Sequence, residues 1–544
     1  MKPDQITVNQ NGMKQVYIAS FGLFITYIDS TIINVAIPEI MNDYHIGLDL
    51  ASWLINTFVI TLAVLMIAMG KMAEVFGKAN VYKTGIILFM ISSLLCGIAP
   101  SVYLLIFFRM LQGIAGAMII PTSMSLAREA VSKEQVGKAI GMWGAMGALG
   151  AASGPPLGGL ITEYLGWRWI FFLNIPIILA ILPATLRIFR NYYHERKPAH
   201  FDPLGMLTIG MAIFFLTYGI IQGQKMGWMS VQIMSFFGIC IVSLLIFIVI
   251  ERKVKYPLMN FSIFRNRIYA AGLLSNLLAG MLTMGVNLLI PEYLTQVKGY
   301  DLLVVSILTT LLPLTSLFVG PLIGRMVDKV GFMVPLALGY LCALIGFSCL
   351  ATMNMDLPMF WLVCILLITG TGNGILMITC VVVSTASLPP QQLSMGSGIF
   401  SMVRNVGGAL GIALMVSITL SVENSYSSVL AEKGMMLVKQ ADLPNDVSQE
   451  FIKQLEVNRE VLLKEDQSAA ALSAEQKGLL TEKDRDDISQ KLNSIEGEMR
   501  VTSKVFIAKA MKAALLVAMM LVLLFSPSLL ALKKPSKLTK VAKK

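Results

Sequence analysis

The chain predicts an all-α membrane protein with fourteen transmembrane helices, arranged as two pseudo-symmetric six-helix halves plus an inserted helix pair. Four observations carry that prediction. Of 544 residues 56% are hydrophobic and only 14% charged, with a mean hydropathy of +0.72, a balance that excludes a water-soluble fold. Fourteen apolar runs each approach the roughly 20 residues that a helix needs to cross the hydrocarbon core. Lys and Arg alternate from one inter-run connection to the next, and two sets of motifs recur at nearly one offset.

Span 1 (16–37) carries Asp29 and is followed by no small-residue cleavage site, so it reads as a retained helix and not a signal peptide. Spans 2 (51–70) and 3 (81–99) are joined by GKMAEVFGK, whose glycines and charges break the hydropathy. Span 4 (102–126) contains Arg109, and span 5 (139–161) is rich in Gly and Ala. Span 6 (169–189) opens on aromatic residues, and spans 7 (204–222) and 8 (231–250) are uninterrupted apolar runs. Spans 9 (270–289), 10 (302–323), 11 (334–353), 12 (360–384) and 13 (399–421) follow, and span 14 (505–530) comes after a long polar insertion. The resulting organisation is 1–190 for the first half, 191–268 for inserted spans 7 and 8, 269–421 for five spans of the second half, 422–503 for an outer loop, and 504–544 for span 14 with a basic tail.

Orientation follows from the basic residues. Taking the N-terminus and every second connection as one side collects 25 Lys and Arg, against 3 in the opposite short connections. The asymmetry places both termini in the cytoplasm and accounts for the formal charge of +11 as a topology signal, not a nucleic-acid-binding one. The outer loop is net acidic. Its stripes Ile488, Leu492, Ile495, Met499 and Phe451, Leu455, Leu462 predict two amphipathic helices, hence a helical hairpin above span 14.

The repeat is read from two matches. GKMAEVFGK (70–78) and GRMVDKVGF (324–332) share Gly, a basic residue, Met, an acid and Gly in register, at an offset of 254. Gly141, Gly150 and Gly154 correspond to Gly398, Gly407 and Gly411 at an offset of 257. Six cysteines inside apolar runs form neither a disulfide framework nor a CxxC site. Three histidines offer no catalytic or zinc constellation, no GxxxxGK[ST] stretch is present, and no cofactor is expected.

Several stretches resemble the major facilitator superfamily, specifically its fourteen-helix drug:proton antiporter branch. They are IDSTIINVAIP (28–38) in span 1, LIFFRMLQGIAGA (105–117) in span 4, GAASGPPLGG (150–159) in span 5 and WRWIFFLNIP (167–176) entering span 6. The 70–78 connection departs from the pattern, with Glu74 for the usual Asp, and Val75 and Ala79 where basic residues are common. The resemblance implies the major facilitator fold and a proton-coupled antiporter exporting lipophilic, often cationic, drugs from a bacterial plasma (inner) membrane. Relatives in double-membrane bacteria work with a periplasmic adaptor protein. The expected partners are small lipophilic substrates, protons and the lipid bilayer. Two alternatives stand beside this reading: export of an endogenous lipid, fatty acid or metabolite, and a membrane receptor or scaffold using the outer hairpin.

Charges inside hydrocarbon persist only when paired, hydrated or functional. Asp29 and Arg109 both fall roughly 10–12 Å below the outer face at ~1.5 Å per residue, so they are the candidate proton-coupling pair. Gly150, Gly154 and Gly158 strip one helix face, with Gly159, Pro155 and Pro156 beside them, which suits close packing and a gate. Gly70, Glu74, Gly77 and Lys78, with Gly324, Asp328 and Gly331, form a candidate pair of cytoplasmic latches, the acids capping a helix or meeting a basic neighbour. Candidate cavity residues are Tyr27, Asn34, Gln112, Trp143, Asn287, Glu292, Trp361, Asn373 and Arg404, with Asn56 and Asn276 as further polar residues inside spans.

Overall fold

The computed structural model describes residues 12–527 apart from 133–134, 191–201, 255–258, 260, 354–356, 387, 389–391, 442, 444–447 and 450–481. Among the described residues there is no strand. The first half consists of α1 (Gly12–Tyr44), α2 (Leu48–Phe76), α3 (Lys78–Gly97), α4 (Val102–Glu129), α5 (Val136–Leu165), a short α6 (Trp169–Phe172) and α7 (Asn174–Ile188), with α6 and α7 forming one crossing. The inserted pair is α8 (Pro203–Met226) and α9 (Val231–Lys253). The second half consists of α10 (Arg267–Glu292) with a π-helical turn (Tyr293–Val297), α11 (Leu302–Val330), α12 (Met333–Ala351), α13 (Met359–Ala386), α14 (Leu393–Gln440) and α15 (Glu482–Phe525).

Among the described residues, thirteen crossings are long and apolar enough to span a bilayer by length and composition alone. α5 is the fourteenth, and it is less apolar because eight of its thirty residues are glycine. Those glycines allow α5 to lie against α1 on one side and α11 on the other. A Cβ on Gly150 would enter the Phe24 carbonyl, one on Gly158 would sit 2.9 Å from the Ile32 carbonyl, and one on Gly141 would fall 2.5 Å from the Gly320 carbonyl oxygen. The repeat predicts the same in the second half. Gly407 meets the Leu277 carbonyl within its own half, while Gly398 meets the Met66 carbonyl of α2 across the seam. Equivalent glycines therefore do equivalent jobs: α1–α5 and α10–α14 pack within halves, and α5–α11 and α2–α14 pack between them. The inserted pair attaches through α8 to α2 and α14.

Glycine is required for another reason at the two repeated connections. Gly77 has φ 94° and Gly331 has φ 79°, and each donates its N–H to a carbonyl four residues back, Ala73 and Val327. A positive-φ glycine at each position stops one helix and turns the chain into the next.

Span ends differ from the sequence expectation. α14 and α15 run without a break through positions 421 and 503, so the outer elements continue the transmembrane helices instead of standing apart from them. Apolar residues beyond the membrane explain the continuity. Leu430, Val438, Leu443, Ile495, Met499 and Phe506 form a separate buried cluster, and the Tyr426 and Phe506 rings stack at 4.5 Å. Of the two predicted stripes, Ile495 and Met499 face that cluster. Phe451, Leu455 and Leu462, the residues before Gly12 and the basic tail lie outside the described residues, as do the side chains of Ile488 and Leu492.

Candidate functional site: a sealed ion pair and a closed end

Asp29 of α1 and Arg109 of α4 meet, with Nη1 donating to Oδ2 at 2.5 Å. Around them Ser93 (α3), Gln112 (α4) and Asn174 (the first residue of α7) complete a network in which all five residues are at most 1% exposed. Gln112 Nε2 donates to Asp29 Oδ1 at 3.1 Å and to Ser93 Oγ at 2.7 Å. Asn174 Nδ2 donates to the same two acceptors at 2.8 and 2.9 Å. Each amide thus spends both of its N–H groups on the same carboxylate and hydroxyl. Arg109 donates further to Gln112 Oε1 at 2.9 Å and, through Nε, to the Leu54 carbonyl at 3.1 Å. Its guanidinium lies 4.4 Å from the Phe58 ring centre and 6.0 Å from that of Phe171.

The local sequence explains the convergence. Arg109 and Gln112 are three apart on α4 and share a face; Gly113 and Gly116 beside them leave room for α2 and α1. Asn174 is placed by the break between α6 and α7. That break is anchored at the membrane edge, where Trp167 Nε1 and Arg168 Nη1 both donate to Asp43 Oδ2 at 3.1 and 2.8 Å. Removing two opposite charges from water is costly unless their remaining donors and acceptors are satisfied. Here they nearly are: Arg109 Nη2 is buried without a hydrogen-bond partner among the described residues.

The second feature lies at the end of the bundle carrying the α2–α3, α4–α5 and α11–α12 connections, hereafter the basic end. α5 touches α11 through Gly141 at Gly320, and a Cβ on Gly324 would enter the Gly137 carbonyl. Ser125 of α4 and Ser397 of α14 approach to 3.5 Å. Glu74 has two partners here. Its Oε2 is 3.6 Å from Lys71 Nζ, and its Oε1 accepts the Met395 backbone N–H at 3.2 Å, capping the first turn of α14 across the two halves. Lys78 pairs with Glu129 at the end of α4. Gly70 is buried at this end, and the Asp328 side chain lies outside the described residues.

Other candidates are dispersed. Gln112 belongs to the sealed network and not to a cavity wall. Trp143 is buried, with its indole N–H donated to Ser123 at 3.0 Å. Tyr27 is half-buried, and Arg404 of α14 reaches across the seam to within 5.9 Å of its ring. Asn34 and Asn287 are exposed on α1 and α10, and Asn56 is half-buried on α2. Glu292 accepts from Gln296 at 3.3 Å, Asn276 donates to the Phe400 carbonyl at 2.7 Å, and Asn373 Oδ1 is buried without a hydrogen bond among the described residues. Trp361 is 58% exposed at the start of α13, edge-on to Phe360. The face carrying Gly147, Gly150, Gly154 and Gly158 packs on α1, and Gly159 reaches Val35. The glycines that touch the other half are thus Gly137 and Gly141, against α11, and Gly144, against Ile378 of α13, not those of the 150–159 motif. α5 stays helical through Pro155 and Pro156.

Sequence reasoning missed Ser93, Asn174 and Glu129. Asn174 stands inside the quoted WRWIFFLNIP stretch, and Ser92–Ser93 interrupts an apolar run, so both gave a signal.

Comparison with known proteins agrees with this architecture. Residues 19–412 match the sequence model of the Major Facilitator Superfamily. The chain is 29% identical over 412 residues to the multidrug resistance protein Stp of Mycobacterium tuberculosis, covering 76% of each. It is 30% identical over 400 residues to the tetracenomycin C resistance and export protein of Streptomyces glaucescens, covering 72% of this chain and 73% of that one. It is 27% identical to the multidrug export protein EmrB of Escherichia coli, covering 76% and 81%. The human organic anion transporter MFSD10 (TETRAN) shares the fold, with a TM-score of 0.54 at 15% identity over 75% of this chain and 93% of that one. The chain belongs to the major facilitator superfamily and is a multi-pass membrane transporter, not an enzyme, with relatives named as multidrug resistance and export proteins.

Proposed function

We propose that the protein is a proton-driven antiporter exporting lipophilic drugs or dyes across a bacterial plasma membrane, with Asp29 and Arg109 as its proton-coupling pair. The observation that carries this is the sealed network: a carboxylate held against a guanidinium in a buried five-residue cluster spanning α1, α3, α4 and α7. Protonating Asp29 removes the charge opposing Arg109 and weakens that hydrogen bond from charged to neutral. Arg109 must then rehydrate or find another acceptor, which favours an open form of the half. Deprotonation restores the pair and the sealed packing. Two conformations that differ in affinity for one proton are what coupling requires.

The excess of Lys and Arg at the basic end supports its assignment to the cytoplasm. With that assignment, the α5–α11 and α2–α14 contacts at the basic end support reading this form as closed to the cytoplasm. A cationic cargo would be attracted by Glu292 near the opposite mouth. The alternative, a fatty acid or other acidic amphiphile, is favoured by a different observation: Arg404, half-buried between the halves and 5.9 Å from the Tyr27 ring, makes no ion pair among the described residues. The test is export in energised inverted vesicles across a panel of cationic dyes, neutral drugs and fatty acids. Asp29→Asn should abolish proton-driven movement of every exported compound. Full export by that variant at wild-type protein level would refute the coupling assignment.

A further inference from the structure

The far end of the bundle from the basic connections carries lysines that charge asymmetry does not anticipate. Lys298 donates to the Leu357 carbonyl at 2.8 Å, and Lys504 lies beside Gly299. Lys509 sits over the stacked Tyr426 and Phe506 rings, 5.4 and 5.6 Å from their centres. Lys512 differs. It is exposed on α15, and among the described residues it makes no hydrogen bond or ion pair. It stands eight residues beyond Lys504, hence ~12 Å deeper along the helix, on a surface that faces hydrocarbon.

Beside it is a narrow, shallow crevice between α10, the π-helical turn, α12 and α15. Its walls are apolar, among them Leu289, Ile290, Leu350, Met511 and Leu515, and Lys512 is its only charged lining residue. The π-helical turn contributes Tyr293 to the same wall. An ammonium facing lipid is costly unless its flexible stem lifts it toward the interface or an anion meets it. An apolar slot with one cation at its mouth is complementary to a molecule with one anionic group and an alkyl chain.

We propose that this crevice binds one anionic phospholipid of the surrounding bilayer, its phosphate against Lys512 and an acyl chain along the apolar walls. The site is outside the Asp29 network and independent of the transported cargo. Its occupant would hold α10 and α12 to α15, the helix that closes the second half.

Native mass spectrometry of the full-length protein in detergent tests this with dioleoylphosphatidylglycerol and dioleoylphosphatidylcholine, which share acyl chains. The wild type should retain a first phosphatidylglycerol in roughly tenfold preference, the effect of about one charge-assisted hydrogen bond. Lys512→Gln should lose that preference while still taking up phosphatidylcholine, and Lys512→Arg should keep it. Ala508→Phe, which fills the slot, should lower uptake of both lipids. Inorganic phosphate as competitor should displace neither. The proposal is overturned if the wild type shows no preference, if Lys512→Gln retains it, or if inorganic phosphate removes the bound lipid. The wild-type preference and the Ala508→Phe result stand even where Lys512→Gln does not fold.

Discussion

A double-mutant cycle on Asp29 and Arg109 separates a static pair from a coupling pair. Asp29→Asn leaves the guanidinium buried with no countercharge and turns an amide N–H toward Arg109 or breaks the bonds from Gln112 and Asn174. Arg109→Gln leaves the carboxylate with two amide donors but no cation, and frees the Leu54 carbonyl. Removing one partner of a buried pair costs about 3–5 kcal/mol, because the survivor remains in low dielectric. The double variant buries no net charge, and neutral amides at both positions can still bond one another, so it should recover most of that loss. The melting midpoint of purified protein should therefore fall in the order wild type, double variant, either single variant. Proton-driven export should behave differently, absent in both singles and still absent in the double variant, because no titratable group remains. Recovery of export together with stability would show the pair to be a structural brace. Single variants that melt with the wild type would refute the energetic reading altogether.

Three further predictions follow from the packing. Gly141→Val places a side chain on the Gly320 carbonyl and should destabilise the closed form by about 1–3 kcal/mol; spin-label distances across the basic end should lengthen, and an unchanged distribution would contradict the proposed seam. Glu74→Ala removes the acceptor for the Met395 N–H and the partner of Lys71, a loss of about 0.5–2 kcal/mol by analogy with helix caps, so cysteine labelling at the α14 start should speed up several-fold while Lys78–Glu129 persists. Gly77→Ala and Gly331→Ala each force an alanine into a positive-φ, extended-ψ conformation that glycine alone adopts readily, costing about 1–3 kcal/mol, and their melting midpoints should drop by similar amounts; a large inequality would count against the equivalence of the two connections.

How much of this was legible in the sequence depends on the physical signal each feature leaves. Hydrocarbon imposes a length and a polarity, so the spans could be read, and span 5 was found despite its low hydropathy because charged connections bracket it. Asp29 and Arg109 stand out because a charge in an apolar run has to be explained. Ser93 and Asn174 were not assigned because small polar residues are tolerated in membrane helices, and nothing in a linear pattern says which of them converge. The continuation of α14 and α15 past the membrane was missed for the opposite reason: hydropathy marks where lipid ends, not where a helix does, and the cluster around Leu430 and Met499 supports helix in water.

The α5 glycines show why position in a motif and position in a mechanism must be separated. Gly150, Gly154 and Gly158 press α5 onto α1 at Phe24, Thr31 and Ile32, the residues that bracket Asp29. With no α5 side chain on this face and the Thr31 and Ile32 side chains of α1 seated against its glycines, the two helices have little freedom to slide, and a displacement of α1 at Asp29 must carry α5 with it. The same helix then presents Gly137 and Gly141 to α11, on the other half, at the basic end. A titration at Asp29 could thus reach the seam through one rigid helix, with the 150–159 face as the grip and Gly141 as the moving contact. On this argument, Gly154→Leu should uncouple the two ends by forcing α1 away from α5 at Thr31. Proton-dependent change at the basic end, followed by spin-label distances, should disappear while the α5–α11 contact itself survives. If Gly154→Leu opened that contact as fully as Gly141→Val, the 150–159 face would be part of the gate and not its linkage.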